Sequence, residues 1–417
     1  MIKKFAALLL ALTLCTGVMA GCADKKDGGS SSADTVTAEQ DTTTAAEDSN
    51  ETAGPVQEEV LPVASLTVDG KKIDTTDYTM MTIDGIDVSF DEFRFYYFYN
   101  LDSYKQNYGI TEDALRENQV AYNMFLEDVV RAIKQEFVTD KLARDHGIEL
   151  DDEDRQVIEN NMQNAKSNYE NDEEFQKDMQ RAHLTEEIYE KMFTRAQTYN
   201  KVMETLFAND GEYATSHEDF LKMVQDPEQY AHEVHIMIPF YSQAELDDSA
   251  AEGYDDLTLS QKIGVRSEAY SALDDAGKEE AKTKAKAVAD EALARAVAGE
   301  DFNKLVEEYG WDIGLEDPTN GYYMKKDNIG GYPEDLLTET FALKPGEVSD
   351  KLVENDTYGY FIVKRLEPDM DYINENIESM IASNDQPAIQ DKFTEIMDGM
   401  EVTYSDVWES LTIDSIT

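Results

Sequence analysis

The 417-residue chain has five histidines and two cysteines, so chemistry based on imidazole or thiol has few places to occur. His232 and His235 bracket the start of the run Glu233-Val234-His235-Ile236-Met237-Ile238, which is β-rich, apolar and stopped by Pro239. Three apart on a strand, the two imidazoles point to opposite faces, and no Cys or third His completes a tetrahedral metal set. The bare pattern leaves His235 open between a packed, hydrogen-bonded strand histidine and a working one. Asp312, in Asp312-Ile313-Gly314, can equally be read as a turn or capping aspartate. Cys15 and Cys22 both precede the body of the chain, which therefore has no thiol pair to staple it. Asp247-Asp248 and Asp255-Asp256 lack the twelve-residue calcium-loop pattern and read as solvated acidic surface. The sequence thus implies neither a metal nor a cofactor.

Lys3 and Lys4 open an apolar run from Phe5 to Leu14, broken only by Thr13, which leads through small residues to Ala20-Gly21-Cys22. The run is too short to cross a hydrocarbon core of roughly 30 Å, and residues 1–21 read as a cleaved signal peptide. Met19-Ala20-Gly21-Cys22 resembles the lipobox of bacterial lipoproteins, which implies Cys22 as the lipidation site and an anchor on the outer face of the cytoplasmic membrane. An ordinary leader with an incidental cysteine is the alternative. Residues 22–63 are acidic, rich in Ser, Thr and Ala, and without aromatics, so they cannot bury enough surface to offset their ordering entropy. They form a tether of roughly 40 flexible residues with an r.m.s. span of about 35 Å.

The net charge of −53, from 89 acidic against 36 basic residues, excludes nucleic acid as a partner, because phosphate binding needs clustered Lys and Arg. It also keeps the protein from anionic lipid except where acyl chains hold it.

The remainder divides by pattern. Val68-Asp69-Gly70 and Ile83-Asp84-Gly85 end two short alternating stretches with hairpin turn signals. Ser89 caps a helix, with Glu92 at capping-box spacing. Leu126, Val129, Val130, Ile133 and Phe137 make one apolar stripe; Gly147 is a helix stop, and Asp151 and Thr185 are new caps. The run Phe93, Phe95, Tyr96, Tyr97, Phe98 and Tyr99 is read as core, with a chaperone surface as the alternative. A mainly helical N-terminal domain is therefore expected over 64–230. An α+β domain follows over 231–368, with an Ala-rich helix over 279–298, an insertion near 241–277 and strand signals returning at Tyr358-Gly359-Tyr360-Phe361-Ile362-Val363. A C-terminal helical segment, 369–417, is expected to pack on the N-terminal domain. The fold class is α+β.

Four blocks in order, Val234-His235-Ile236-Met237-Ile238, Ala298-Gly299-Glu300-Asp301-Phe302 with Tyr309 and Asp312, Phe341-Ala342-Leu343-Lys344-Pro345-Gly346, and Gly359-Tyr360-Phe361-Ile362-Val363-Lys364, resemble the parvulin (PpiC-like) peptidyl-prolyl cis-trans isomerases. With a lipidated Cys and flanking helices, the layout resembles the PrsA-type foldase lipoproteins of Gram-positive bacteria. The resemblance implies a site of two histidines, a Cys or Asp, and a Ser or Thr around an apolar cup. His235 matches the first histidine and Asp312 the Cys or Asp. Phe361 stands where the second histidine would be, and a phenyl ring neither donates nor accepts a hydrogen bond. The Ser or Thr position falls on Asp356, and the cup on Tyr332 and Leu336.

The resemblance implies isomerisation of X-Pro bonds in unfolded or partly folded secreted polypeptides, combined with client holding. A holdase with a degenerate parvulin domain is the alternative, and a solute-binding or cell-wall lipoprotein is a third. A homodimer is left open.

Overall fold

The computed structural model describes residues 61–208, 211–247, 250, 253–315, 319–327 and 331–417, so the leader, Cys22 and nearly all of the tether lie outside the described residues. The chain folds as two compact units, one comprising the residues up to Glu204 together with Gln390–Thr417, the other Thr205–Ile389.

The first unit opens with two hairpins, β1 (Leu66–Val68) with β2 (Lys71–Ile73) and β3 (Thr79–Ile83) with β4 (Ile86–Ser89). Asp69-Gly70 and Asp84-Gly85 take positive φ at both positions, the turn geometry that matches strand twist. The Ser89 hydroxyl then accepts from Glu92 N–H and caps α1 (Phe90–Tyr108). At 100° per residue the aromatic run on α1 cannot share one face. Phe93, Phe95, Tyr96 and Tyr97 are buried while Tyr99 is 40% exposed, so most of the run is core. After α2 (Glu112–Glu117), α3 (Gln119–His146) buries the whole Leu126 to Phe137 stripe and stops at Gly147, which is left-handed. Asp151 makes a full capping box with Asp154 at the start of α4 (Asp152–Ser167). Beyond α5 (Asp172–Arg181), Thr185 accepts from Ile188 N–H at the start of α6 (Glu186–Leu206).

The Glu92 side chain does not close the capping box that its spacing suggests. It turns inward, fully buried, and meets Arg195 of α6 at 2.6 Å; Asp140 of α3 takes the same guanidinium at 2.9 Å. Arg195 also lies 4.3 Å above the Phe137 ring. One cation thus ties three helices through two carboxylates.

In the second unit α7 (His217–Val224) leads into β5 (Tyr230–Ile238). The insertion follows as short 3₁₀ turns and α8 (Leu259–Ser271), every residue of which keeps some exposure. Then come α9 (Asp275–Val297), α10 (Phe302–Tyr309), β6 (Tyr322–Lys325), α11 (Glu334–Ala342), β7 (Val353–Asn355) and β8 (Gly359–Leu366). The strands form one antiparallel sheet in the order β6-β5-β8-β7. Val234, Ile236, Ile238 and Ile362 on one face pack on Ala285, Ala289, Ala292 and Ala296, whose small side chains let α9 approach closely. On the other face Met324, Phe361 and Val363 pack on Leu336 and Leu337 of α11. Coverage of both faces explains why β5 and β8 do not alternate apolar with polar. Gly359, at φ 99°, closes the β7–β8 turn where a Cβ would stand 2.4 Å from Ile238 O.

The C-terminal segment is shared between the units. Ile373 of α12 (Met370–Glu375) and Ile381 of α13 (Ile377–Gly399) pack with Phe220, Val224 and Tyr230 in the second unit. Beyond α13 the chain completes the first unit: β9 (Val402–Tyr404) pairs with β3, and Trp408 sets its ring edge-on against Phe93 at 5.5 Å.

Arg195→Ala leaves Glu92 buried without a counter-charge, and is expected to destabilise the first unit by about 3–5 kcal/mol. Urea unfolding followed by circular dichroism checks this; a loss under about 1 kcal/mol would show that the cluster carries little of the helix packing.

Candidate active site

On β5 the period of two puts Glu233, His235 and Met237 on the face that α11 covers. The register sets His235 opposite Val363, Met237 opposite Phe361, and Glu233 between Arg365 of β8 and Tyr322 of β6. Asp312 arrives from the other side. Where the chain leaves α10, Trp311 N–H donates to Met237 O at 2.9 Å, which ties the Asp312 segment to the strand carrying His235.

The result is a chain of polar contacts across a mainly apolar face. His235 Nε2 lies 3.1 Å from Asp312 Oδ2, and His235 Nδ1 lies 3.0 Å from Glu233 Oε1. Tyr322 donates its hydroxyl to Asp312 Oδ2 at 2.8 Å and stacks nearly parallel to His235, with centroids 5.4 Å apart. Gly314 N–H donates to Asp312 Oδ1 at 2.8 Å, and a Cβ on Gly314 would come within 2.6 Å of the Tyr322 hydroxyl oxygen. Asp312 keeps 19% of its side chain exposed against 5% for His235, so the carboxylate is the outer member of the pair.

Burial alone would lower the affinity of His235 for its second proton. The Glu233 charge and the bond to Asp312 outweigh it and raise the ring to about 9. Burial pushes the Asp312 carboxyl up, but the donors His235, Tyr322 and Gly314 hold it below the usual carboxylate value. Burial, then the bond to Asp312, raise the Tyr322 phenol.

The structure brings together His235, Asp312, Phe361, Leu336 and Tyr332. Phe361 is buried and sets its ring edge-on to His235 at 5.2 Å. Leu336 lies in the same apolar cluster, and Tyr332 packs against that cluster and meets Tyr322 edge-on at 6.0 Å. Asp356 is not part of the assembly. It sits exposed in the β7–β8 turn, whose neighbouring Asn355 accepts from Thr357 N–H and Tyr358 N–H. From Gly359, next to that turn, to Val363 opposite His235 is four strand residues, about 13 Å. The hydroxyl beside Val363 belongs instead to buried Ser349, which accepts from Val363 N–H at 3.0 Å.

Sequence reasoning missed Tyr322 and Glu233. The signal for Glu233 was its place two residues before His235, a charged residue on the same side of an otherwise apolar strand. His232, on the opposite face, lies between the carbonyls of Glu367 and Asn320, at 2.9 and 2.7 Å, and stacks on Tyr323. Among the described residues no group of His, Cys, Asp and Glu is arranged to hold a metal ion.

Residues 220–369 match the family described as the PPIC-type PPIASE domain, and this segment is a parvulin-type domain. No curated protein sequence matches the chain. Among solved structures it is similar to PrsA from Bacillus subtilis, with 17% identity, a TM-score of 0.24, and coverage of 80% of this chain and 98% of that one. It is also similar to the peptidylprolyl isomerase PrsA of Bacillus cereus, with 14% identity, a TM-score of 0.31, and 79% and 95% coverage. The foldase protein PrsA of Streptococcus pneumoniae gives 18% identity, a TM-score of 0.28, and 69% and 89% coverage.

Because His235 binds its proton more tightly when folded, its contribution to stability is complete below the ordinary value of 6.5 and is lost as pH rises through about 9. The second unit is therefore expected to lose about 2 kcal/mol between neutral pH and about pH 9.5. Urea midpoints across that range should fall in the native chain and flatten in His235→Gln.

Proposed function

We propose that this chain, whose residues 220–369 are a parvulin-type domain, is a membrane-anchored foldase that isomerises X-Pro bonds and holds unfolded segments of secreted proteins. The observation that carries the reading is the contact of His235 with Asp312, the outer carboxylate of a buried polar chain, on a sheet face otherwise lined by apolar side chains. Cys22 would carry the lipid and place the body on the outer face of the cytoplasmic membrane of a Gram-positive bacterium, at the end of the acidic tether.

The chemistry needs no nucleophile. An X-Pro bond rotates over a barrier of roughly 18–20 kcal/mol because amide conjugation must be lost midway, and the uncatalysed step takes tens of seconds. A site lowers that barrier by gripping the proline ring and by presenting fixed charges that favour the twisted amide. In this reading Met237 and Tyr332, partly buried beside the apolar cluster, meet the ring, with Leu336 and Phe361 behind them. Asp312 faces the amide, and His235 and Tyr322 fix its charge and direction. Holding would fall to the helical unit, which leaves Tyr108, Val120 and Met124 at 71%, 71% and 60% exposure.

One observation favours holding without catalysis: buried Phe361 presents a ring edge to His235 where the family pattern has a second imidazole. The two readings separate by stoichiometry. An isomerase accelerates a proline-limited refolding phase at substoichiometric amounts, and His235→Ala and Asp312→Ala are each expected to cut that acceleration at least tenfold. Suppression of aggregation only near equimolar amounts, with no acceleration by folded protein, would leave the holdase.

For the anchor, Cys22→Ser is expected to abolish incorporation of labelled fatty acid and release the chain from the membrane fraction. Unchanged labelling would rule out Cys22 as the lipidated residue.

A further inference from the structure

Glu233 is a buried charge that the isomerase reading leaves without a task. It is wholly buried on β5, two residues before His235 and on the same face. Its Oε1 lies 3.0 Å from His235 Nδ1, and its Oε2 has no hydrogen-bond partner among the described residues. A carboxylate withdrawn from water this completely needs a counter-charge. Arg365 stands opposite it in the sheet; its two Nη groups donate to the carbonyls of Leu343, Pro227 and Tyr230, and its Nε has no partner among the described residues. The ionisable group in hydrogen-bond contact with Glu233 is the imidazole. Both of its nitrogens face carboxyl oxygens, at 3.0 Å for Glu233 and 3.1 Å for Asp312, so with both carboxyls ionised the two bonds form only when both nitrogens carry hydrogen.

The other groups around His235 agree with a cationic ring. Tyr322 stacks on it and gives its own proton to Asp312, so it does not compete for the imidazole. Phe361 offers no hydrogen bond. The position at which a second imidazole would engage His235 is thus apolar, and the polar partner comes instead from two residues upstream on the same strand.

We propose that Glu233 is a positioning residue of the isomerase site, holding His235 as a doubly protonated, fixed cation with its Nε2–H aimed at Asp312, in place of the missing second imidazole. This rests on the isomerase reading for its consequence at the X-Pro amide, while the state of the ring can be read independently of activity. His235 then neither accepts nor delivers a proton during turnover. It fixes the charge and direction of Asp312.

The test labels the full chain with [15N]histidine and follows the ring nitrogens from pH 6 to 10, with His235→Gln assigning the resonance. Both nitrogens of His235 are expected to remain protonated beyond pH 8. In Glu233→Gln, which keeps the shape and an acceptor oxygen, the midpoint is expected to fall by at least about one pH unit, a tenfold loss of proton affinity. A merely structural role would survive that substitution. The wild-type X-Pro isomerisation rate should be flat from pH 6 to 8, and the Glu233→Gln rate should fall across the same range. A wild-type ring that is neutral at pH 7.5, or a midpoint that Glu233→Gln leaves unchanged, overturns the proposal. A raised midpoint that Glu233→Gln lowers, in a chain that accelerates no X-Pro peptide, upholds the hold on His235 and removes only the isomerase reading.

Discussion

The second unit depends on the pairing of β5 with β8, which runs in one unbroken register from His232 opposite Leu366 to Ile238 opposite Tyr360. Side chains alternate along each strand, so a slip of one residue would turn every one to the other face. Glu233 and His235 would then meet the alanine face of α9, and Val234 and Ile236 would face Asp312. The shape of α9 resists this, since Ala285, Ala289, Ala292 and Ala296 leave room for branched apolar residues but offer nothing to a buried charge. Gly359 fixes the other end, because only a residue without Cβ fits beneath Ile238 O. The polar chain through the site is therefore a consequence of sheet register as much as of local sequence.

Each unit buries one cation between two carboxylates. In the first, Arg195 lies between Glu92 and Asp140; in the second, His235 lies between Glu233 and Asp312. Such clusters repay their desolvation poorly, but removing one member is costly, so they favour a single arrangement of the elements that supply them. The two differ in the cation. A guanidinium keeps its proton at any relevant pH, and the Arg195 cluster accordingly sits among helices with only a structural task. An imidazolium gives up its proton as pH rises, and its two ionised carboxylates only move that loss to higher pH, which makes the second cluster conditional on pH.

Local signals in the sequence carried much of the fold. The Asp-Gly turns, the caps at Ser89, Asp151 and Thr185, the stop at Gly147 and the stripe from Leu126 to Phe137 all act within a few residues, and each stands in the structure as read. Signals failed where a residue had two local uses or too short a run. Glu92 has the spacing of a capping box, and only the arrival of Arg195 from a distant helix decides against it. β9 is three residues long, too short for any periodicity to show, and exists because β3 offers it an edge. In the site, His235 and Asp312 are 77 positions apart, so no spacing rule joins them; the ordered family blocks did. The family pattern puts its Ser or Thr position on Asp356, but the tight β7–β8 turn carries that residue into solvent. Tyr322 could not be anticipated, because its partner is fixed by the loop after α10 and by the room that Gly314 leaves.

A histidine locked between two carboxylates would be a poor catalyst for most reactions assigned to histidine, because its proton is unavailable at neutral pH. X-Pro rotation makes no such demand. No bond to hydrogen forms or breaks, and the barrier is the loss of conjugation between nitrogen and carbonyl. What lowers it is a grip on the ring and charges that do not reorganise as the amide turns. A carboxylate held by an imidazolium, a phenol and a backbone N–H is such a charge, since three bonds on its two oxygens fix its direction. On this argument the replacement of a second imidazole by Phe361 does not by itself remove the capacity for isomerisation. It moves the task of orienting His235 from β8 to Glu233, on the strand that carries the histidine.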